Sequence, residues 1–374
     1  ITSLGTLSAL TVTGEITANG GIALGDNDKA TFGASDDLQI YHDSTTGHSY
    51  IKESGSGDLI LQAGNDLRLE DPSGNEYLRG NEGAGVEISY NNSTKLATTA
   101  TGIDVTGTAT MDGMSTNTAG TSNFIAGNNA GNSIESGGNY NTVVGDEAGT
   151  ALTTGDNNTF MGYAAGDATT TGNSNTAIGR LALSTNTTGA ENTAIGVNAL
   201  YLATTGTYNI AIGNSAGAAV TTGVQNTLIG GLAGDAITTA GGNTALGYQA
   251  MSALTTGGGN TAVGHQSMAN GVVTGLHNTG LGDGSLLVLT SGAYNTGLGK
   301  DALAANTTGT NNVAVGKDAM IANTTGTVNT SVGVDSLTAN TTGEANVAVG
   351  AYSLAANTTG TTNVAVGNNT LSSN

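Results

Sequence analysis

The chain contains no cysteine, no tryptophan and a single proline, Pro72, among its 374 residues. The lack of cysteine excludes a disulfide framework, a thiolate nucleophile and a thiolate metal site, and it leaves the redox compartment open. Only 10% of the residues are charged and 4% are aromatic, whereas soluble globular proteins have roughly a quarter charged residues. A thick globular core built from large side chains is therefore not expected.

Basic residues are also scarce, since 8 Lys and Arg face 28 Asp and Glu and leave a net charge of −20. This charge repels phosphate backbones, so we expect no nucleic-acid partner. No run approaches the roughly 18 apolar residues of a membrane-spanning helix, so we expect no membrane insertion. Disorder is disfavoured because Pro and Lys are rare, while β-branched residues and 61 glycines suit strands and turns.

The chain does contain a tandem repeat, in which Asn precedes a short apolar word and Gly. The repeat has a 17-residue period, with one 18-residue step from Asn260 to Asn278 and another from a weaker first unit at Asn123 to Asn141. This makes fifteen units, the last one incomplete. The anchor residues are Asn141, Asn158, Asn175, Asn192, Asn209, Asn226, Asn243, Asn260, Asn278, Asn295, Asn312, Asn329, Asn346 and Asn363.

Each unit reads approximately N-T-A-(I/V/L)-G-x-x-(A/S)-(L/M/G)-x-x-x-T-T-G-x-x. It is too short for a helix pair and rich in helix-disfavouring Gly, Asn and Thr. The repeat therefore predicts that residues 123–374 form a parallel β-solenoid (a β-roll) of about fifteen coils, stacked about 4.8 Å apart. Alternation places Thr193 and Ile195 on one face and Ala194 on the other.

Three features of the repeat carry specific predictions. Stacked anchor asparagines predict an amide ladder, and the Leu/Met column predicts a thin internal core. Two fixed glycines per unit predict two turns with positive φ. The second glycine follows the Thr-Thr pair, as in Gly189, Gly206 and Gly309. The first follows the strand, as in Gly179, Gly196, Gly213, Gly299, Gly316, Gly333 and Gly350.

The core of one such chain would be slender. The small Ala and Gly positions invite close approach of another backbone, so we expect a homotrimer around a fibre axis. An intertwined triple β-spiral is the alternative architecture, because a unit with two turns suits either.

The N-terminal third lacks the period and alternates apolar and polar residues over 38–41, 59–62, 67–70 and 86–90. Turn residues over 71–75 punctuate these runs, a pattern typical of short antiparallel strands. Similar words at 12–20 and 105–113 bracket this region. The predicted organisation is a short β shaft motif (1–20), an antiparallel β-rich domain (21–104), a shaft motif or connector (105–122) and the solenoid (123–374).

No constellation predicts catalysis, a metal or a cofactor. Acid pairs such as Asp36-Asp37 fit solvated turns better than a glycosidase, which needs paired carboxylates in a sugar-binding cleft. The N-T-T words match the glycosylation acceptor, but their recurrence favours turn residues. Tyrosines scattered along the solenoid are open to glycan contact or to packing. The four histidines lack close pairing and are expected at the surface: His42, His48, His265 and His277.

The tandem N-T-A-(I/V)-G units with T-T-G spacers resemble bacteriophage tail-fibre and related virion appendage proteins. Residues 32–43 and 95–107 resemble the upstream shaft of the same family. The N-x-A-x-G word is also similar to the head repeats of trimeric autotransporter adhesins, which form a left-handed parallel β-roll.

This resemblance implies a non-enzymatic fibre of a phage virion: a rigid, extracellular, trimeric shaft that supports attachment to a host. Its implied partners are copies of itself, other tail or baseplate proteins, and a glycan or protein of the host surface. The alternatives are the head of a bacterial cell-surface trimeric adhesin, an ice-binding solenoid with threonine columns, and a polysaccharide-degrading tailspike.

Overall fold

The computed structural model describes residues 10–82, 85–100, 102–107 and 119–373, and this part of the chain is all-β, without a helix. Contacts divide the chain into unit 1, residues 1–111, and unit 2, residues 112–374. Unit 1 holds antiparallel sheets and unit 2 a parallel β-solenoid, as predicted. The predicted connector, residues 105–122, lies largely outside the described residues.

Unit 1 contains two antiparallel sheets, in which neighbours in sequence are neighbours in space. One sheet consists of β1 (Lys29–Phe32), β2 (Leu38–Asp43) and β3 (His48–Glu53). The other consists of β4 (Leu67–Glu70), β5 (Glu76–Asn81), β6 (Gly85–Tyr90), β7 (Ser93–Thr99) and β8 (Gly102–Val105). The prediction of a strand over residues 59–62 is wrong: Ile60 is 73% exposed and no described strand pairs with this segment. Alternation alone did not supply a pairing partner.

The turn between β4 and β5 explains why 71–75 interrupts the pattern. The Asp71 carboxylate accepts hydrogen bonds from the backbone N–H of Ser73 and of Asn75, at 2.8 and 2.9 Å. An Asp side chain that bonds the backbone just after it is a local substitute for strand pairing. At the opposite end of β4 from this turn, Asp66 accepts from Arg79 at 2.6 Å and from Arg68 at 3.1 Å, which ties β4 to β5.

The described part of unit 1 has no interior in a single chain. None of its described residues from 10 to 107 is buried. Apolar side chains on both sheets stay open to solvent, for example Phe32 at 53% and Leu69 at 55% exposure. An open concavity of about 610 Å³, lined in part by Ile22, Ile40 and Tyr41, lies on the three-stranded sheet.

Unit 2 is a single 15-stranded parallel sheet in which the strands follow one another in sequence order. Each strand pairs with the strand of the next repeat, so that Thr176 pairs with Thr193, and the pairing continues across the longer step from Thr261 to Thr279. Consecutive coils of one chain therefore stack on each other, which excludes the triple β-spiral. The strands are β9 (Phe124–Ala126), β10 (Thr142–Val144), β11 (Thr159–Met161), β12 (Thr176–Ile178), β13 (Thr193–Ile195), β14 (Ile210–Ile212), β15 (Thr227–Ile229), β16 (Thr244–Leu246), β17 (Thr261–Val263), β18 (Thr279–Leu281), β19 (Thr296–Leu298), β20 (Val313–Val315), β21 (Thr330–Val332), β22 (Val347–Val349) and β23 (Val364–Val366).

The core of the solenoid is thin at each level. The middle strand residue points inward, as Ala194 does, and the following Ala199 and Leu200 close the interior at 0% exposure. The small alanines therefore face the chain's own core. We expected these small residues to let the backbone of a second chain approach closely. That argument for a trimer is wrong, because the alanines face inward and the larger strand residues face outward.

Side-chain volume is exchanged across this core. The Leu/Met column is the position eight residues after each anchor Asn, where Leu200 and Met251 lie. Where the inward strand residue is large, as Leu228 is, glycine occupies this column in the same coil and in the preceding one. A Cβ built on Gly217 or on Gly234 would lie 2.7 Å from Leu228. Interiors are close-packed, so a large residue in one column requires a small one in the other. The same exchange surrounds Phe160, with Gly149 and Gly166.

Candidate functional surfaces of the solenoid

The anchor asparagines form a continuous buried ladder. In each coil the Asn side-chain oxygen accepts the backbone N–H of the next anchor residue, for example Asn209 N to Asn192 Oδ1 at 3.0 Å. The Asn209 Nδ2 group donates to the same oxygen at 3.2 Å and to the carbonyl of Gly223 at 2.8 Å. Every donor and acceptor of this amide is used, which satisfies a buried polar group fully.

A second ladder was not among the predictions. The asparagines of the last four N-T-T words stack in the core, where Asn323 Nδ2 donates to Asn306 Oδ1 at 2.9 Å and Asn340 Nδ2 donates to Asn323 Oδ1 at 2.9 Å. Asn357 continues the column at 3.0 Å from Asn340. Their burial removes them as glycosylation acceptors and fits the structural interpretation. The signal was present in the 17-residue recurrence of these words.

Asn186 carries the same word but lacks the neighbour that completes a ladder. Its Nδ2 donates to the carbonyl of Gly189 at 3.0 Å, yet its buried Oδ1 has no partner. The corresponding residue of the next coil is Ala203, which offers no side-chain donor. A buried acceptor without a partner costs about 1–3 kcal/mol.

The glycines after the strands have a backbone that only glycine adopts readily. Gly179, Gly196, Gly213, Gly299, Gly316, Gly333 and Gly350 have φ between 129° and 140°. A Cβ on Gly213 would also lie 2.5 Å from the carbonyl oxygen of Gly230 in the next coil. The second glycine of each unit differs from the prediction: Gly206 and Gly309 have no positive φ. Close stacking selects glycine there, since a Cβ on Gly309 would lie 2.5 Å from the Gly326 oxygen.

The threonine pair divides its roles between structure and surface. The first threonine donates its hydroxyl to a backbone carbonyl of the next coil, as Thr307 does to Thr324 at 3.1 Å. The second, such as Thr308, is exposed. Only one of the two threonine columns is thus available as an external array.

An uncharged outer stripe runs along the whole sheet. We define it as the side chains at the first and third positions of β9–β23. All thirty positions are Thr, Ile, Val, Leu, Met, Phe or Ala. Several remain widely open to solvent, with Met161 at 43%, Leu281 at 43% and Leu298 at 40% exposure. The third-position column is apolar in every strand, whereas ten of the fifteen first positions are Thr. A contiguous exposed apolar column of this kind usually marks an interaction site.

The flanks of the outer stripe carry aromatic and charged residues. Tyr248 stacks on His265 with ring centroids 5.9 Å apart, and His277 stacks on Tyr294 at 5.5 Å. His265 Nδ1 also lies 3.0 Å from a carboxylate oxygen of Asp283.

The other two predicted surface histidines belong to unit 1. His42 Nδ1 lies 3.1 Å from the Ser49 hydroxyl, and His48 packs edge-on against Tyr50. These contacts place both rings on the three-stranded sheet.

Two acids inside the solenoid wall are unusual. Asp167 and Asp235 are half-buried, and each has one carboxylate oxygen without a partner. Desolvation raises the pKa of both carboxyls above its ordinary value. They lie four coils apart, about 19 Å at strand spacing, so they do not form the close carboxylate pair of a glycosidase.

Among the described residues, no group of three or more His, Cys, Asp and Glu side chains is placed to hold a metal ion. In the same part of the chain, no helix is long and apolar enough to cross a membrane. In comparisons with known proteins, no family model, no curated protein and no solved structure matches this chain.

Proposed function

We propose that the chain is a non-enzymatic structural and adhesive fibre, a trimeric shaft of a phage virion that supports attachment to the host surface. The tandem N-T-A-(I/V)-G units, which resemble those of phage tail fibres, suggest this role. The continuous parallel sheet supports it physically, because hydrogen bonds between every pair of coils run along one direction and resist bending. A chain built this way suits a spacer.

The coreless unit 1 is the observation that carries the homo-oligomeric part of the proposal. Sheets with both faces open to water bury little apolar surface, which leaves the entropy cost of ordering their strands without an offset. Partner copies of the same chain would cover the apolar faces and provide the missing core. Weak attachment contacts on three copies would then gain strength by avidity.

The first test is the solution mass of the intact chain by light scattering. We expect three times the 36.4 kDa of one chain. Immunogold labelling of virions, with an antibody raised to the solenoid, then tests the location at the tail. A monomer near 36.4 kDa, or virions that bind no antibody, contradicts the proposal.

One observation favours an alternative, an ice-binding solenoid. The outer stripe places ten threonines in the first strand position, next to aliphatic residues, on a regular parallel sheet. An ice-recrystallisation assay separates the two proposals, since a stripe that is covered in a trimer cannot meet an ice crystal. Inhibition by the native chain would favour ice binding.

A further inference from the structure

Within the solenoid, no described residue packs over the outer stripe, and its side chains are exposed or half-buried. It runs over fifteen consecutive strands, which span about 67 Å at a strand spacing of about 4.8 Å. With a width of about 10 Å, the stripe offers about 700 Å² per chain, close to the ~800 Å² per partner of a stable interface. We propose that copies of the solenoid pack side by side through this stripe, parallel and in register. The inference rests on the proposed homo-oligomeric fibre and names its contact face.

Charge supports a second copy as the occupant. The chain carries a net charge of −20, so two copies repel each other wherever their acids meet. The stripe carries no charged residue, and the nearby charges stand on its flanks, as Asp283, Lys300 and Lys317 do. It is therefore a continuous face on which copies of this acidic chain can approach without burying a charge.

The repeat of the stripe narrows the choice of partner further. Every strand presents the same two positions one coil apart, as the pairing of Thr176 with Thr193 and of Ile178 with Ile195 shows. A second copy has the same repeat along its whole length, so each coil meets an equivalent coil. A globular partner would match only a few coils.

Aromatic rings that pack over glycines mark the two edges of the proposed contact face. Tyr248 lies against Gly231 of the preceding coil, where a Cβ would be 3.4 Å from the ring. His277 lies over Gly259 in the same way at the other flank, 2.6 Å from the position of a Cβ. These rings stack along the solenoid axis, and the two central columns, one mainly threonine and one apolar, stay uncovered between them.

The absence of cysteine makes the test direct. Leu298→Cys places one thiol on the stripe, and Thr308→Cys places one on an exposed column of the same coil. Both variants are labelled with a maleimide in the folded state, and the labelling rate in denaturant is the reference. We expect the stripe cysteine to react at least tenfold more slowly than the control in the native protein, and equally fast in denaturant.

A charge variant provides a second readout. Leu281→Asp with Leu298→Asp places two carboxylates on neighbouring coils of the stripe, and Ser291→Asp with Thr308→Asp is the matched control. We expect the first pair to lower the light-scattering mass at a given concentration, with an unchanged β-type circular dichroism spectrum. The control pair should leave the mass unchanged.

The outcomes separate the two proposals. A multimeric native mass with equal labelling of both cysteines, or with no effect of the stripe charges, overturns the stripe as contact face and leaves the fibre proposal standing. A native mass near 36.4 kDa overturns the homo-oligomeric fibre, and the stripe contact fails with it.

Discussion

The two units of this chain obtain their stability in opposite ways. In unit 2 each coil is a platform for the next, and the middle residue of β10–β22 is fully buried by its own chain. In unit 1 the strands are longer, up to 7 residues in β7, yet no described residue is buried. Longer strands did not create a core, because two thin sheets present no second layer to pack on. Stacking of short, repeated coils supplies that layer.

Dilution gives the strongest test of this difference. If partner copies complete unit 1, its backbone amides should lose hydrogen-exchange protection as the protein concentration falls, since association couples stability to concentration. Amides of the solenoid strands should keep their protection, because their core lies within one chain. Protection in β5 and β6 that does not vary over a thousandfold dilution would contradict the comparison.

Alanine at a strand-following glycine should damage the solenoid most among single substitutions. Gly213→Ala meets both a φ of 138° and the Gly230 oxygen at 2.5 Å, so we expect a loss of about 3–5 kcal/mol. Gly223→Ala, in the same coil, should cost less, because its φ is not positive and the next coil has Ala240 at this position.

Unit 1 supplies the control for this experiment. Gly47 has a φ of 72° but nothing within 4 Å of a Cβ, so Gly47→Ala should cost only about 1 kcal/mol. Denaturant unfolding followed by circular dichroism measures all three variants. Equal losses at Gly47 and Gly213 would show that backbone conformation, and not coil stacking, dominates.

The exchange of volume in the solenoid core predicts a compensating pair. Leu228→Ala removes a fully buried side chain and should cost about 3 kcal/mol. Adding Gly234→Leu should recover part of the loss, because Leu228 occupies the space that a side chain at 234 would need. A thermodynamic cycle measures the coupling, and additive losses would refute the exchange.

The same substitution should have unequal effects at two N-T-T words. Asn323→Leu breaks the inner ladder on both sides and should cost about 2 kcal/mol. Asn186→Leu removes an acceptor that has no partner together with the hydrogen bonds from Nδ2 to Thr169 and Gly189, so gain and loss offset each other and the net cost should stay below about 1 kcal/mol. Thermal unfolding measures both, and equal losses at the two positions would show that the unpaired oxygen costs nothing.

Acid should act on the two units in opposite directions, with the smallest effect. Hydrogen bonds from Arg79 hold the pKa of Asp66 below its usual value, so this stabilisation is present above the unfolded pKa of about 3.9 and is lost as the pH falls through the folded value. Burial raises the pKa of Asp167 in the folded state. Its contribution to the stability of the solenoid is therefore present below the unfolded pKa of about 3.9 and is lost as the pH rises through the folded pKa.

Hydrogen exchange measures the free energy of unfolding of each unit at several pH values between neutral and strongly acidic. The solenoid should gain stability on acidification, and Asp167→Asn with Asp235→Asn should provide this gain at neutral pH. Unit 1 should lose stability once the pH falls below the unfolded pKa of Asp66. A solenoid whose response is the same in the double variant would contradict the assignment.

The repeat establishes the period and the columns, but it does not say whether the coils of one chain stack on each other or three chains intertwine. Identical residues occupy equivalent places in either architecture, and the pairing of each strand with the next strand of the same chain decides for the solenoid. The coil count, the Leu/Met column and the positive φ after each strand follow from the repeat. The prediction of a strand over residues 59–62 failed where no repeat constrained the pairing.

Tertiary structure alone decided which face of the strand points outward. Alternation separates Ile195 from Ala194, but it does not say which one faces the core, and the larger residue faces outward. The reason lies in the other wall of the coil: Leu200 already fills the interior, so only a small side chain fits opposite it. The sequence establishes the period and the columns, whereas packing between the columns decides which side chains are buried in the core of the chain and which remain exposed.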